Sequence, residues 1–158
     1  LGQLNMFGRS SPDRAQAELT KADQLAKKLF PPASTEQAFV QFTQGDLAMR
    51  QGQTREAIGY FQKAAQNSGN MAPALRLRML TAAARNMLNQ NQAEPAVMLL
   101  QPVVSAGNVS DREVMDVTLT YCEALIASNQ NDQAISVLSK SVVAASSIET
   151  KNRYEMVL

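Results

Sequence analysis

The sequence contains no histidine and no tryptophan, and it has a single cysteine, Cys122. Without histidine the chain lacks the commonest general base, the commonest metal ligand and the base of any Ser-His or Cys-His nucleophile pair. One cysteine excludes an internal disulfide and a thiolate metal cluster. The glycines are scattered and form no phosphate-binding loop. We therefore expect a protein that is not an enzyme and that binds no metal and no cofactor.

Long apolar runs and a large charge imbalance are absent as well. No stretch reaches the roughly 18 consecutive apolar residues that a membrane span needs. The formal net charge at pH 7 is only +1, so the chain exerts no long-range attraction on nucleic acid or on an anionic membrane. We expect a soluble protein that neither spans a membrane nor binds nucleic acid.

Residues that favour helices dominate the sequence. The chain is 45% apolar but only 5% aromatic, and unbranched side chains lose little rotamer freedom in a helix. Short polar clusters, glycines and prolines divide it into about eight predicted helices, with no predicted strand. Helix starts are predicted at Pro12, Ser34, Thr54, Pro73, Ser110, Asp132 and Ser146. The predicted fold class is all-α.

A constant spacing relates these helices to one another. Three segments share a polar turn, an alanine and a large apolar residue four positions later; the pairs are Ala57 with Phe61, Ala96 with Leu100 and Ala134 with Leu138. A small residue stands twelve positions before each alanine, at Gly45, Ala84 and Cys122. Small residues at both places would let two antiparallel helices approach closely. An earlier copy is predicted at Ala15 with Leu19.

This pattern resembles the tetratricopeptide repeat family. The family's small residue in its first helix corresponds to Gly45, Ala84 and Cys122, and its Ala-x-x-x-Phe element corresponds to the three alanine pairs. The early tryptophan of the family is absent, and the copies are 38 to 42 residues apart rather than the family's 34. The resemblance implies a right-handed α-α superhelix (solenoid) of helical hairpins. We expect the chain to form one such domain, 1–158, with units at about 1–32, 34–70, 73–107 and 110–146 and a partial unit at 147–158.

Two other families of helical repeats have related patterns. Pentatricopeptide repeats read RNA one base per repeat and would need a basic groove, which the net charge of +1 disfavours. Armadillo and HEAT repeats have periods of about 40 to 47 residues, closer to the spacing of this chain. The constant distance from the small residue to the alanine favours the tetratricopeptide family. Cys122 occupies the small-residue position of a repeat, and the resemblance therefore implies that it is a buried packing residue.

The resemblance also implies a binding site, because the first helix of each repeat lines a concave groove where partner peptides lie. The corresponding positions are Phe39, Phe42, Asp46, Met49 and Arg50, then Arg78, Thr81, Arg85 and Asn89, and then Asp116, Leu119, Glu123 and Ile126. Arg78 and Arg85 share a helix face and could bind a partner's carboxylate. The groove positions of the third repeat are acidic, at Asp116 and Glu123, so we expect a polarised groove that suits a bipolar extended peptide. The carboxylate-clamp positions of the chaperone subclass carry Phe42, Asp46 and Ala82, and we do not expect that activity.

The function that the resemblance implies is a non-enzymatic scaffold that binds a partner protein or peptide on its concave face. One alternative is a regulatory module of a transcriptional activator or kinase, with a small effector in the groove. Another is an oligomerisation unit that pairs through its terminal hairpins, residues 1–8 and 148–158. We expect the chain to be a piece of a longer bacterial protein, in the cytoplasm or the periplasm.

Overall fold

The computed structural model describes residues 12–106 and 112–155, with side chains at 14–105 and 114–143. These residues form seven α-helices, one short 3-10 helix at Ser68–Asn70 and no strand. The α-helices are α1 (Pro12–Leu29), α2 (Thr35–Arg50), α3 (Thr54–Asn67), α4 (Pro73–Asn89), α5 (Ala93–Ala106), α6 (Arg112–Ala127) and α7 (Asn131–Glu155). The prediction of an all-α fold is confirmed.

The chain divides into two compact units, Leu1–Met71 and Ala72–Leu158. In the first unit, α2 packs against α1 and α3. In the second unit, α6 packs against α4, α5 and α7, and α4 also packs against α5. Helix α6 is therefore the central element of the second unit. Within residues 12–106 and 112–155, no helix combines the length and the apolar character needed to cross a membrane.

Three of the helix starts follow the predicted local signals. Pro12 and Pro73 are the first residues of α1 and α4, where the missing N–H of proline costs nothing because the first turn leaves it unbonded anyway. Ser34 caps α2, and its Oγ accepts a hydrogen bond from the backbone N–H of Gln37 at 3.2 Å. These starts depend on neighbouring residues alone, which is why the sequence predicts them.

Two predicted caps are wrong by one position or more. Thr54 is the first residue of α3, and the cap position belongs to Gln53, whose side chain makes no capping hydrogen bond. Asp132 lies in the first turn of α7, which begins at Asn131. An acid in that turn still interacts favourably with the helix dipole. The predicted cap at Ser110 lies outside the described residues.

Helix α7 continues to Glu155 without a break. The prediction that a new helix starts at Ser146 is therefore wrong, and the described residues hold seven α-helices rather than about eight. No glycine or proline lies between Ala134 and the end of the sequence to interrupt the helix. Serine is tolerated inside a helix because its hydroxyl can donate to a carbonyl of the preceding turn. Ser139 does so, with the carbonyl oxygen of Ile135 at 2.8 Å.

Three helix ends share one backbone geometry. A residue with positive φ follows α2, α4 and α6; these residues are Gly52 at 76°, Asn91 at 57° and Asn129 at 61°. The next residue donates its N–H to a carbonyl of the last helical turn; the pairs are Gln53 to Ala48 at 2.9 Å, Gln92 to Met87 at 2.9 Å and Gln130 to Leu125 at 2.8 Å. This is the Schellman arrangement that satisfies the last carbonyls of a helix. The three ends recur with the same spacing as Ala57, Ala96 and Ala134.

The residues of the repeated pattern lie in the core. The buried members are Gly45, Ala57, Phe61, Ala84, Ala96, Leu100, Cys122 and Ala134, and Leu138 is half-buried. The small residues contact the paired helix directly: a Cβ atom on Gly45 would lie 2.7 Å from ring carbons of Phe61, and the Cys122 Sγ lies 3.9 Å from the Ala134 carbonyl oxygen. The burial expected of Cys122 is confirmed. Ala15 and Leu19 in α1 are only half-buried.

Candidate interaction surface

A salt bridge joins two of the predicted site residues across α4 and α6. The Arg85 Nη2 donates to the Asp116 Oδ1 at 2.6 Å, and the two side chains are 51% and 50% exposed. From the sequence we expected Arg85 to bind a partner's carboxylate and Asp116 to lie at the acidic end of the groove. The structure instead pairs these two charges with each other, so each side chain already has a partner within the chain.

Helix α4 presents a polar stripe to solvent. Arg78, Ala82, Arg85 and Asn89 are all exposed, and residues three or four positions apart lie on the same side of a helix. Thr81 is only 2% exposed, and its Oγ1 donates to the carbonyl oxygen of Leu77 at 2.8 Å. Thr81 therefore cannot contact a partner in this conformation and is removed from the candidate site.

Helix α6 carries an apolar stripe on its exposed side. Met115, Leu119 and Ile126 are 50%, 48% and 55% exposed, and their spacing places them along one line of the helix surface. Asp116 and Glu123 are exposed beside them. Sequence reasoning missed Met115, although its position four residues before Leu119 indicates the same face.

We call the exposed side chains of these two helices the α4/α6 face. Its members are Arg78, Ala82, Arg85, Asn89, Met115, Asp116, Leu119, Glu123 and Ile126. Because α4 packs against α6 and the Arg85–Asp116 pair joins them, these residues belong to one surface. An apolar stripe with polar and charged residues beside it has the composition of a binding patch, in which the apolar part gives affinity and the polar part gives orientation.

The predicted site residues of α2 lie in the first unit and are divided between surface and core. Phe39 is exposed, and Phe42 is half-buried with its ring centroid 5.7 Å from that of Phe61. Met49 is only 5% exposed. Met49 therefore packs in the core rather than lining a groove, and this assignment is wrong. The contact with Phe61 gives Phe42 a packing role as well.

The two charged site residues of α2 also bind each other. The Nε of Arg50 donates to the Oδ2 of Asp46 at 2.9 Å, one helical turn away. Exposed pairs of this kind hold both side chains against their own helix.

The terminal segments predicted for self-association lie largely outside the described residues. Residues 1–8 are not described, and no side chain of 148–158 is described.

The two titratable side chains on the buried side of α6, Tyr121 and Cys122, have raised pKa values. Burial raises the pKa of the Cys122 thiol, and the Glu123 carboxylate raises it further. Burial also raises the pKa of Tyr121, with a contribution from Cys122. Because the thiolate is the reactive form of cysteine, a raised pKa and burial both lower its reactivity. Among the residues that the structure describes, no cluster of three or more Cys, Asp or Glu side chains is placed to hold a metal ion.

No protein-family model matches the chain, and neither does any curated protein or solved structure. The tetratricopeptide assignment therefore stays a prediction from the residue pattern.

Proposed function

We propose that this chain is a non-enzymatic scaffold of tetratricopeptide type, a right-handed superhelix of hairpins, that binds a partner protein or peptide on the α4/α6 face. Two features support the repeat. Equivalent left-handed helix ends recur at Gly52, Asn91 and Asn129, and the small residues are buried between paired helices. In the second unit, α6 packs on both helices of the preceding hairpin, as stacking of repeats requires.

The observation that carries the binding function is the apolar stripe of α6. Met115, Leu119 and Ile126 each leave about half of their surface in water. Full burial of such a side chain stabilises by about 1.5 to 3 kcal/mol, so covering the exposed half of each against a partner contributes on the order of 1 kcal/mol per side chain. A partner that covers all three gains enough to offset part of the entropy lost on association.

The charges of the face determine which partner fits. The Arg85–Asp116 pair places both signs of charge beside the stripe, and Glu123 adds a carboxylate between Leu119 and Ile126 along the helix. A partner with only acidic or only basic groups would meet repulsion from one of them. We propose an amphipathic segment whose apolar side covers the stripe and whose basic group meets Glu123.

Peptide selection on the intact chain tests this function. Peptides from a displayed library are selected on the immobilised chain, and their dissociation constants are measured by fluorescence anisotropy. The face variant is Leu119→Glu/Ile126→Glu, and the matched control is Met98→Glu/Ile135→Glu, which replaces exposed residues of α5 and α7. We expect the face variant to weaken binding at least tenfold, since two apolar contacts of about 1 kcal/mol each are lost and charge is added. The control should bind like the wild type.

The opposite pattern overturns the assignment. If the face variant keeps its native circular dichroism and binds the selected peptides as tightly as the wild type, the α4/α6 face is not the binding surface. If the control loses affinity instead, the partner binds on the side of α5 and α7.

A further inference from the structure

A concave feature of the second unit lies outside the α4/α6 face. A cleft of about 450 Å³ is lined by residues of α5, α6 and α7. Since α6 packs against both α5 and α7, α6 forms the floor of the cleft and the other two helices form its walls. None of the residues of the α4/α6 face lines it. Its volume falls within the range of small-molecule sites, about 300 to 1,000 Å³.

Each of the three helices contributes one valine to the cleft. Val104, Val114 and Val137 all line the cleft and are half-buried. Valine has few accessible rotamers, so these walls change shape little when a ligand enters. Together they offer an aliphatic surface for the body of a small ligand.

The polar side chains of the cleft include several hydrogen-bond donors and one positive charge. Among the nine described residues that line the cleft, Lys140 is the one charged residue and none carries a carboxylate. Gln101 and Ser105 line the opposite wall, and both carry donor groups. Thr118 and Ser141 already donate to carbonyls of their own helices, at 2.8 and 2.9 Å. Those two hydroxyls therefore act as acceptors only.

The floor adds a further donor. Tyr121 lines the cleft, and its side chain is largely buried. Burial raises the pKa of its phenol above the ordinary value of 10.0. The hydroxyl therefore keeps its proton throughout the physiological pH range and can donate it to an anionic acceptor.

We propose that this cleft binds a small aliphatic carboxylate, independently of any partner on the α4/α6 face. The Lys140 ammonium and the donors of Gln101, Ser105 and Tyr121 bind the carboxylate, and the three valines contact the hydrocarbon part. Charge-assisted hydrogen bonds are roughly twice as strong as neutral ones, and none of the described lining residues is an acid that would repel the anion. The site therefore prefers an anion to a neutral or cationic molecule of the same length.

Three probes of one length test this preference on the full chain. Hexanoate, hexanol and hexylamine are titrated into chain with labelled valine methyl groups, and dissociation constants are read from the signals of the cleft valines. We expect saturable shifts at Val104, Val114 and Val137, with hexanoate binding most tightly. Lys140→Met keeps an unbranched apolar side chain but removes the charge, and should weaken hexanoate binding about tenfold. The same change at Lys28, an exposed lysine of α1, should have no effect.

Several results would overturn the proposal. Hexylamine binding as tightly as hexanoate would show that the charge of the cleft does not select the ligand. An unchanged hexanoate affinity in folded Lys140→Met would show that Lys140 does not bind the carboxylate. Absence of any saturable shift at the cleft valines would show that the cleft takes no ligand of this class.

Discussion

The ring of Phe61 lies so close to Gly45 that a Cβ atom on Gly45 would be 2.7 Å from both Cδ1 and Cε1 of that ring. Phe61 is fully buried, so the ring cannot move away without disturbing the surrounding core. This contact explains why the first helix of the α2–α3 hairpin carries a glycine at a position where helix propensity alone favours alanine.

Gly45→Ala should therefore destabilise the protein. We expect a loss of about 1 to 3 kcal/mol in the free energy of unfolding, the usual effect of overpacking a core. Gly59→Ala is the matched control, because a Cβ at Gly59 in α3 meets nothing within 4 Å and alanine favours a helix by about 0.5 to 1 kcal/mol over glycine. Urea unfolding compares the two. Equal effects of the two substitutions would show that the close approach does not exist in solution.

The Arg85–Asp116 salt bridge should contribute measurably but weakly to stability. Both groups are half exposed, and exposed pairs typically contribute about 0.2 to 1 kcal/mol. A double-mutant cycle with Arg85→Ala and Asp116→Ala should give a coupling energy in that range, and added salt should reduce it. A coupling energy of zero at low salt would show that this ion pair contributes nothing to stability.

At the left-handed helix ends, we expect glycine to be tolerated better than alanine, the reverse of their order inside a helix. Asn129 has a φ of 61°. Glycine adopts this φ without strain, and asparagine tolerates it because its short polar side chain can form local hydrogen bonds, whereas alanine loses about 1 to 2 kcal/mol. Asn129→Ala should therefore lower the thermal unfolding midpoint, whereas Asn129→Gly should leave it unchanged or raise it. Asn91 should behave in the same way. Gly69→Ala serves as a control, since Gly69 has no positive φ and open space around it. Equal tolerance of alanine at all three positions would contradict the shared geometry.

Alkaline pH should weaken the fold through Cys122 and Tyr121. Both pKa values are raised in the folded state, from ordinary values of 9.0 and 10.0. The unfolded chain therefore loses these protons first, and the stability that the neutral groups provide is complete below pH 9.0 and is lost as pH rises further. Urea unfolding across this range should show a falling free energy of unfolding, with a smaller fall in Cys122→Ala. An identical fall in that variant would remove Cys122 from the explanation.

The sequence predicts the helices and the repeated core well because those features depend on local spacing. The alanine pairs, the small residues and the polar turns are all read from residues within one hairpin. Helix α7 shows the limit of this approach, since a capping pattern at Ser146 also fits inside a continuous helix. The chain offers no glycine or proline there to decide between the two.

The interaction surface is less predictable because it depends on how helices rotate and pack. Neighbouring residues of a helix point about 100° apart, so a small error in orientation moves Met49 and Thr81 from the surface into the core. The pairing of Arg85 with Asp116 spans 31 residues of sequence and depends on α4 lying against α6. No local pattern contains that information.

Isoleucine methyl groups offer the most direct test of the proposed binding face. The chain has four isoleucines, Ile58, Ile126, Ile135 and Ile148, so a methyl-labelled sample gives few signals to assign. Ile126 lies on the α4/α6 face, whereas Ile135 is at least as exposed but lies on α7. On titration with a selected peptide, the account predicts that the Ile126 signal shifts to saturation and the Ile58 and Ile135 signals stay in place. A saturating shift at Ile135 with no change at Ile126 would contradict it.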